Sequence, residues 1–71
     1  MVIMNEFDSN GYHIKIVYSK RFGYDIYCQE GTLIESENGF KTQQEAVFEA
    51  KEAVRQLNEY LTDTANHMAQ E

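Results

Sequence analysis

Cys28, His13 and His67 are the side chains most able to do chemistry, and their types and spacing are poor for it. A reactive thiol needs exposure and a nearby cation or base. A catalytic histidine needs a nucleophile within reach and a pocket around both. His13 falls on the outward face of a strand-like run and His67 in a polar C-terminal tail, so both read as solvated. Cys28 is the only cysteine; it reads as a small buried hydrophobe on a strand, suits a reducing compartment and forms no disulfide within the chain. One cysteine and two separated histidines make no zinc pattern. Gly31 and Gly39 belong to no phosphate-binding or dinucleotide motif. No catalytic, cofactor or metal residue is assigned, and the chain is expected not to be an enzyme.

The residues that remain are suited to recognition. Glu45, Glu49, Glu52 and Glu59 fall on one helical segment. They form either a solvated face, with Glu52 beside Arg55 at i,i+3, or an acidic strip for a basic partner. With Ala46 as the reference direction and about 100° per residue, Phe48 points away from the apolar stripe, among Lys51, Glu52 and Arg55. An aromatic ringed by charge suits an interface anchor. Phe22, beside Lys20 and Arg21 at an expected hairpin tip, is a second candidate anchor. Tyr27 and Val17 share the outward parity of their strands and are candidates for a dimer or partner surface.

The elements that position these residues follow from periodicity. Residues 1–11 begin with the apolar MVIM and continue through the polar NEFDSNG; they read as a flexible lead-in, although Val2 and Ile3 could add a short edge strand. In residues 12–19, Tyr12, Ile14, Ile16 and Tyr18 alternate with His13, Lys15 and Val17, the mark of a half-buried strand. Lys20 to Gly23 is expected to turn, with Gly23 supplying positive φ. Residues 24–29 alternate again, with Tyr24, Ile26 and Cys28 inward. Glu30-Gly31 marks a turn, residues 32–36 a third strand with either Ile34 or Leu33 inward, and Glu37-Asn38-Gly39 a further turn.

Thr42-Gln43-Gln44-Glu45 fits a helix capping box, with a weak hydrophobic staple between Phe40 and Ala46. Ala46, Ala50, Ala53, Val54, Leu57 and Leu61 then recur at helical spacing as one stripe. The stripe continues weakly through Ala65 and Met68, and residues 63–71 read as a fraying tail. The expected fold is α+β: an antiparallel sheet of about three strands (β-β-β-α) over residues 12–62, with one long C-terminal amphipathic helix on one face. The expected core is Ile14, Ile16, Ile26, Ile34, Ala50, Ala53, Val54, Leu57 and Leu61. Tyr12, Tyr18 and Tyr24 share the inward parity and are expected to flank the core with their hydroxyls at the rim.

A chain of 71 residues makes one domain that buries little surface, so self-association is a reasonable way to complete the core. The formal net charge is −6, with twelve acidic residues against six basic ones. The basic residues are too few and too interspersed for a phosphate-binding footprint, which disfavours direct nucleic-acid binding. No signal peptide or membrane span is legible, and a cytoplasmic location is expected.

The order of short strands followed by a Thr-capped helix reading KTQQEAVFEAKEAVRQL resembles the small domain of HicB-type antitoxins. Thr42, Glu45-Ala46 and Glu52-Ala53-Val54 carry the likeness, together with Gly23-Tyr24 at the start of the second strand, over about residues 12–61. The chain departs from that pattern in lacking a Pro-rich turn after the second strand and a DNA-binding segment after the helix. The resemblance implies a dimerising, protein-binding fold. The functional expectation is therefore a homodimeric protein-interaction module, antitoxin-like, with Val17, Phe22, Tyr27 and Phe48 at its partner surface. The alternative is an acidic, phage-type inhibitor that binds a basic nucleic-acid-binding protein.

Overall fold

The computed structural model describes residues 1–70, and side chains through residue 59. It is α+β, with four antiparallel strands and one helix: β1 (Val2–Ser9), β2 (Tyr12–Ser19), β3 (Arg21–Tyr27), β4 (Leu33–Phe40) and α1 (Gln43–Gln70). The strands lie in chain order, β1-β2-β3-β4, and α1 packs across one face, mostly over β3 and β2. No helix among the described residues is long and apolar enough to cross a membrane.

The extra strand corrects the expectation of a flexible lead-in over residues 1–11. Val2–Ser9 pairs along β2, from Val2 opposite Tyr18 to Ser9 opposite Tyr12, with Met4 bulged out between Ile3 and Asn5. Asn10 and Gly11 join the two strands at φ 52 and 86. Two consecutive positive φ values are what a type I′ hairpin turn requires, and Asn-Gly supplies them at low steric cost. Phe7 is the residue that ties β1 to the core, packing against the buried cluster.

Strand β2 matches the expected residues. The turn after it does not use Gly23: Lys20 takes the left-handed conformation, φ 68, between the paired Ser19 and Arg21. Gly23 lies inside β3, where a Cβ would fall 2.6 Å from the Glu37 carbonyl oxygen and 2.8 Å from the Asn38 Cβ. It is glycine because β4 passes too close for a side chain.

Strand β4 also differs from expectation. It runs through the residues read as a turn, because Gly39, at φ 101, is the extra residue of a β-bulge between the pairs Gly23–Asn38 and Phe22–Phe40. A second irregularity, between the pairs Ile26–Glu35 and Tyr27–Leu33, takes Ile34 out of register. Ile34 and Leu33 are both exposed, so neither is the inward residue and Ile34 is not in the core.

The helix starts where its cap lies. The Glu45 amide donates to the Thr42 hydroxyl at 3.1 Å, and the Ala46 amide to the Thr42 carbonyl at 3.2 Å. Phe40, expected to staple onto Ala46, stacks on Tyr24 with ring centroids 5.9 Å apart. The core comprises Ile14, Ile16, Ile26, Ala46, Ala50 and Val54, all fully buried, with Tyr24 packed beside them and its hydroxyl reaching Glu35 at the edge. Three of its members are Ala46, Ala50 and Val54 on one helix stripe, and such small side chains let the helix backbone approach the isoleucines of β2 and β3. Ala53 and Leu57 are half-buried. Leu61, Ala65, His67 and Met68 lie outside the described side chains, as does the tail expected to fray.

Candidate interaction surface

The sheet face away from the helix carries no element of its own and is largely polar. Register places Glu6, Lys15, Asp25 and Ser36 in one cross-strand row, and Asp8, His13, Tyr27 and Leu33 in the next. Opposite charges therefore alternate across neighbouring strands, a favourable cross-strand arrangement. The Ser36 hydroxyl donates to Asp25 at 2.7 Å. The Lys15 ammonium sits 5.0 Å from the centre of the Tyr27 ring, covering that aromatic with a cation.

His13 lies between two carboxylates of the edge strand. Its Nδ1 is 2.7 Å from Asp8 Oδ1 and its Nε2 is 3.0 Å from Glu6 Oε1. Carboxylates only accept, so both contacts are hydrogen bonds only when both ring nitrogens carry protons. The hydrogen bonds to Glu6 and then Asp8 accordingly raise the His13 pKa above its ordinary value. The sign follows by linkage: stability from this clamp is fully present below the unfolded value, about 6.5, and is lost as pH rises through the folded value. We expect the denaturation midpoint of the wild type, minus that of His13→Gln, to fall as pH rises above about 6.5. A difference that stays flat with pH would show that the two carboxylates do not hold the imidazolium.

The same clamp decides what His13 can do chemically. Both nitrogens are committed to carboxylates, so neither is free to take a proton from a nucleophile. Cys28 helps line the same open groove of about 600 Å³, yet no hydrogen bond joins it to His13. Cys28 is also not a buried strand residue. It stands just past the end of β3, half-buried, in a loop closed by the Gly31 amide on the Cys28 carbonyl at 2.9 Å. Backbone hydrogen bonds at Thr32 and then Glu30 lower its thiol pKa.

The four candidate interface residues are not brought together. Val17 is on the outer face but only 7% exposed, in a cross-strand row between Ile3 and Gly23. Tyr27 is half-buried beneath Lys15. Phe22 is not a hairpin-tip anchor; it packs on the helix side against the core, its ring 4.7 Å from that of Tyr18. Phe48 does face outward, 61% exposed, beside a shallow apolar groove with Val47, Gln44 and Lys51.

Two surfaces go beyond the sequence reading, which offers Val2 and Ile3 only as a short edge strand and Glu49 and Glu52 only as part of a helical strip. The first is the start of β1: Val2, Ile3 and Met4 are 58%, 49% and 44% exposed on an edge strand. The Lys51 ammonium, 5.6 Å from the Phe7 ring centre, marks the helix flank that leans toward this side. The second is a groove of about 330 Å³ between α1 and β4, lined by Glu35, Glu37, Glu49 and Glu52 around Tyr24. The Tyr24 hydroxyl donates to Glu35 at 3.1 Å. Burial, and then that hydrogen bond and the surrounding carboxylates, push its pKa well above the usual tyrosine value. Among the described residues no Lys or Arg lines this groove; the nearby Arg55 is engaged by Glu52 and Glu59 on the helix surface. The signal for the first surface was the apolar VIM run followed by alternation around Phe7. No local pattern announces the second, because its four carboxylates come from two distant elements. No protein-family model matches this chain, and no curated protein or solved structure matches it either.

Proposed function

We propose that this chain is a non-enzymatic protein-interaction module that self-associates, in the manner the HicB-type resemblance implies. The observation that carries the reading is the run Val2-Ile3-Met4, exposed and apolar along a sheet edge. Apolar side chains exposed singly need no explanation, but a contiguous run beside unpaired backbone is a surface prone to pairing. The clamped His13 and the separate Cys28 offer no nucleophile–base pair, which supports a binding role over a catalytic one. Solution mass by light scattering at low and high salt tests it. The expected result is a dimer that tightens with salt, because screening weakens the repulsion between two chains of charge −6. A monomer under both conditions would reject self-association.

A second reading has its own observation. The carboxylate groove between α1 and β4 suits the cationic segment of a basic nucleic-acid-binding protein, which the chain would then occupy and inhibit. This reading expects the opposite salt response. Calorimetric binding of oligolysine should weaken steeply with salt and be reduced in Glu35→Gln/Glu49→Gln; binding indifferent to both would reject it.

A further inference from the structure

We infer that the end of the sheet where the β2–β3 turn meets the start of the helix binds a short single-stranded segment of nucleic acid. A groove of about 260 Å³ opens there, lined by Tyr18, Lys20, Arg21, Phe22, Phe40 and Lys41. Half of the chain's six basic residues line it, and among the described residues no Asp or Glu does. In the sequence these cations are scattered, which is what disfavours such binding there. In the fold, the pairing of Phe22 with Phe40 carries Lys41 to the turn that holds Lys20 and Arg21. The other three basic residues are already engaged. Arg55 is held by Glu52 and Glu59, Lys51 lies over the Phe7 ring, and Lys15 lies over Tyr27 in a row with Glu6 and Asp25. Lys20, Arg21 and Lys41 are exposed and form no ion pair among the described residues. Lys20 also sits at φ 68, a conformation that asparagine or glycine adopts at less cost. Backbone outliers of that kind concentrate at binding sites.

Charge and ring together select the ligand. Cations gathered without an intervening carboxylate draw an anion, on a chain whose net charge of −6 repels one elsewhere. Tyr18 adds a ring that is 40% exposed in the same groove, supported by Phe22 with ring centroids 4.7 Å apart. A cationic groove beside an exposed aromatic lets a base stack while its phosphates are neutralised. A carboxylate-rich peptide would use the cations and leave the ring idle. The site is short. Its cations can neutralise about three phosphates, and Phe40 stacks on Tyr24, where the carboxylate groove begins. A longer strand would be repelled there. The site stands whether or not the chain self-associates.

Fluorescence anisotropy of a labelled oligothymidylate, at low salt and across a salt series, tests the site. The expected result is saturable binding. The logarithm of its affinity should fall with the logarithm of salt at a slope of about −2, as for three phosphates of a single strand. Lys20→Asn/Arg21→Gln and Tyr18→Leu should each weaken binding by about tenfold. Asparagine suits the backbone at φ 68, and thermal melts of both variants guard against misreading a folding defect. Lys15→Gln/Lys51→Gln removes the same charge elsewhere and should leave binding unchanged. Absence of saturable binding at low salt would overturn the proposal, as would an equal loss in Lys15→Gln/Lys51→Gln. Displacement by oligoglutamate or inorganic phosphate as readily as by unlabelled oligothymidylate would show an anion site that ignores the base, and would overturn it too.

Discussion

Gly23→Ala is expected to destabilise the protein by about 3 kcal/mol, lowering the melting temperature by roughly 10–20 °C. The added methyl would lie 2.6 Å from a backbone oxygen, that of Glu37, and 2.8 Å from the Asn38 Cβ. No flexible side-chain end is there to swing aside, so relief must come from the β4 backbone. That strand is held by the β3 pairing and by Phe40 stacked on Tyr24. Gly39→Ala is the informative comparison. It stands one residue past Asn38 with open space around its would-be Cβ, so the cost there is only that of an alanine at φ 101, about 1–2 kcal/mol. Thermal melts of the two variants separate a clash from backbone strain. A Gly23→Ala protein melting within about 2 °C of the wild type would show that β3 and β4 are not packed as closely as described.

Ile26→Ala should be comparably severe, at about 2–5 kcal/mol. Ile26 is fully buried on β3, the strand the helix covers most, and sits in one cluster with Ile14, Ile16 and Val54. Truncation would leave a cavity among side chains that are themselves fully buried and held by their own packing. A chain of this length has a total stability of roughly 4–10 kcal/mol, so this one substitution removes a large share. Urea denaturation is the check, with two graded companions. Ile26→Val should cost about 0.5–1.5 kcal/mol. Ile34→Ala, at an exposed bulge position, should stay within about 0.5 kcal/mol of the wild type. An Ile34→Ala cost equal to that of Ile26→Ala would mean that the β4 register is wrong.

Elements governed by local physics were legible in the sequence. β2 is bounded by the same residues that alternation picks out, since a strand with one buried face writes its period into the chain. The helix starts at Thr42 because an N-cap is a local bond. What failed was the meaning of glycine and of polar alternation. Gly23 and Gly39 permit a turn, a bulge or a close approach equally well; which one applies depends on the neighbouring strand. β1 was hidden because Asn5, Glu6, Asp8 and Ser9 resemble loop residues, although Phe7 and the Asn10-Gly11 pair mark a hairpin. Missing β1 also hid the clamp on His13, whose two carboxylates both belong to that strand. Parity puts Val17 on the outer face, where it lies, but cannot say that its neighbours cover it. Phe22 reads as a turn residue only if Gly23 makes the turn, whereas Gly23 lies inside β3.

Strand order equal to chain order has a further consequence, for the way the molecule forms. Every ladder joins segments adjacent in sequence, across connections of a few residues, with no crossover anywhere in the sheet. Closing such short loops costs little entropy, so hairpins can zip outward from the Asn10-Gly11 and Lys20 turns without a long search. The distant meeting is that of α1 with β2 and β3, which buries the isoleucines against Ala46, Ala50 and Val54. Until that docking occurs the meander is a polar-backed ribbon with a bare apolar front. Docking of the helix is thus the step that completes the core, since without it the isoleucines of β2 and β3 have no cover on that face.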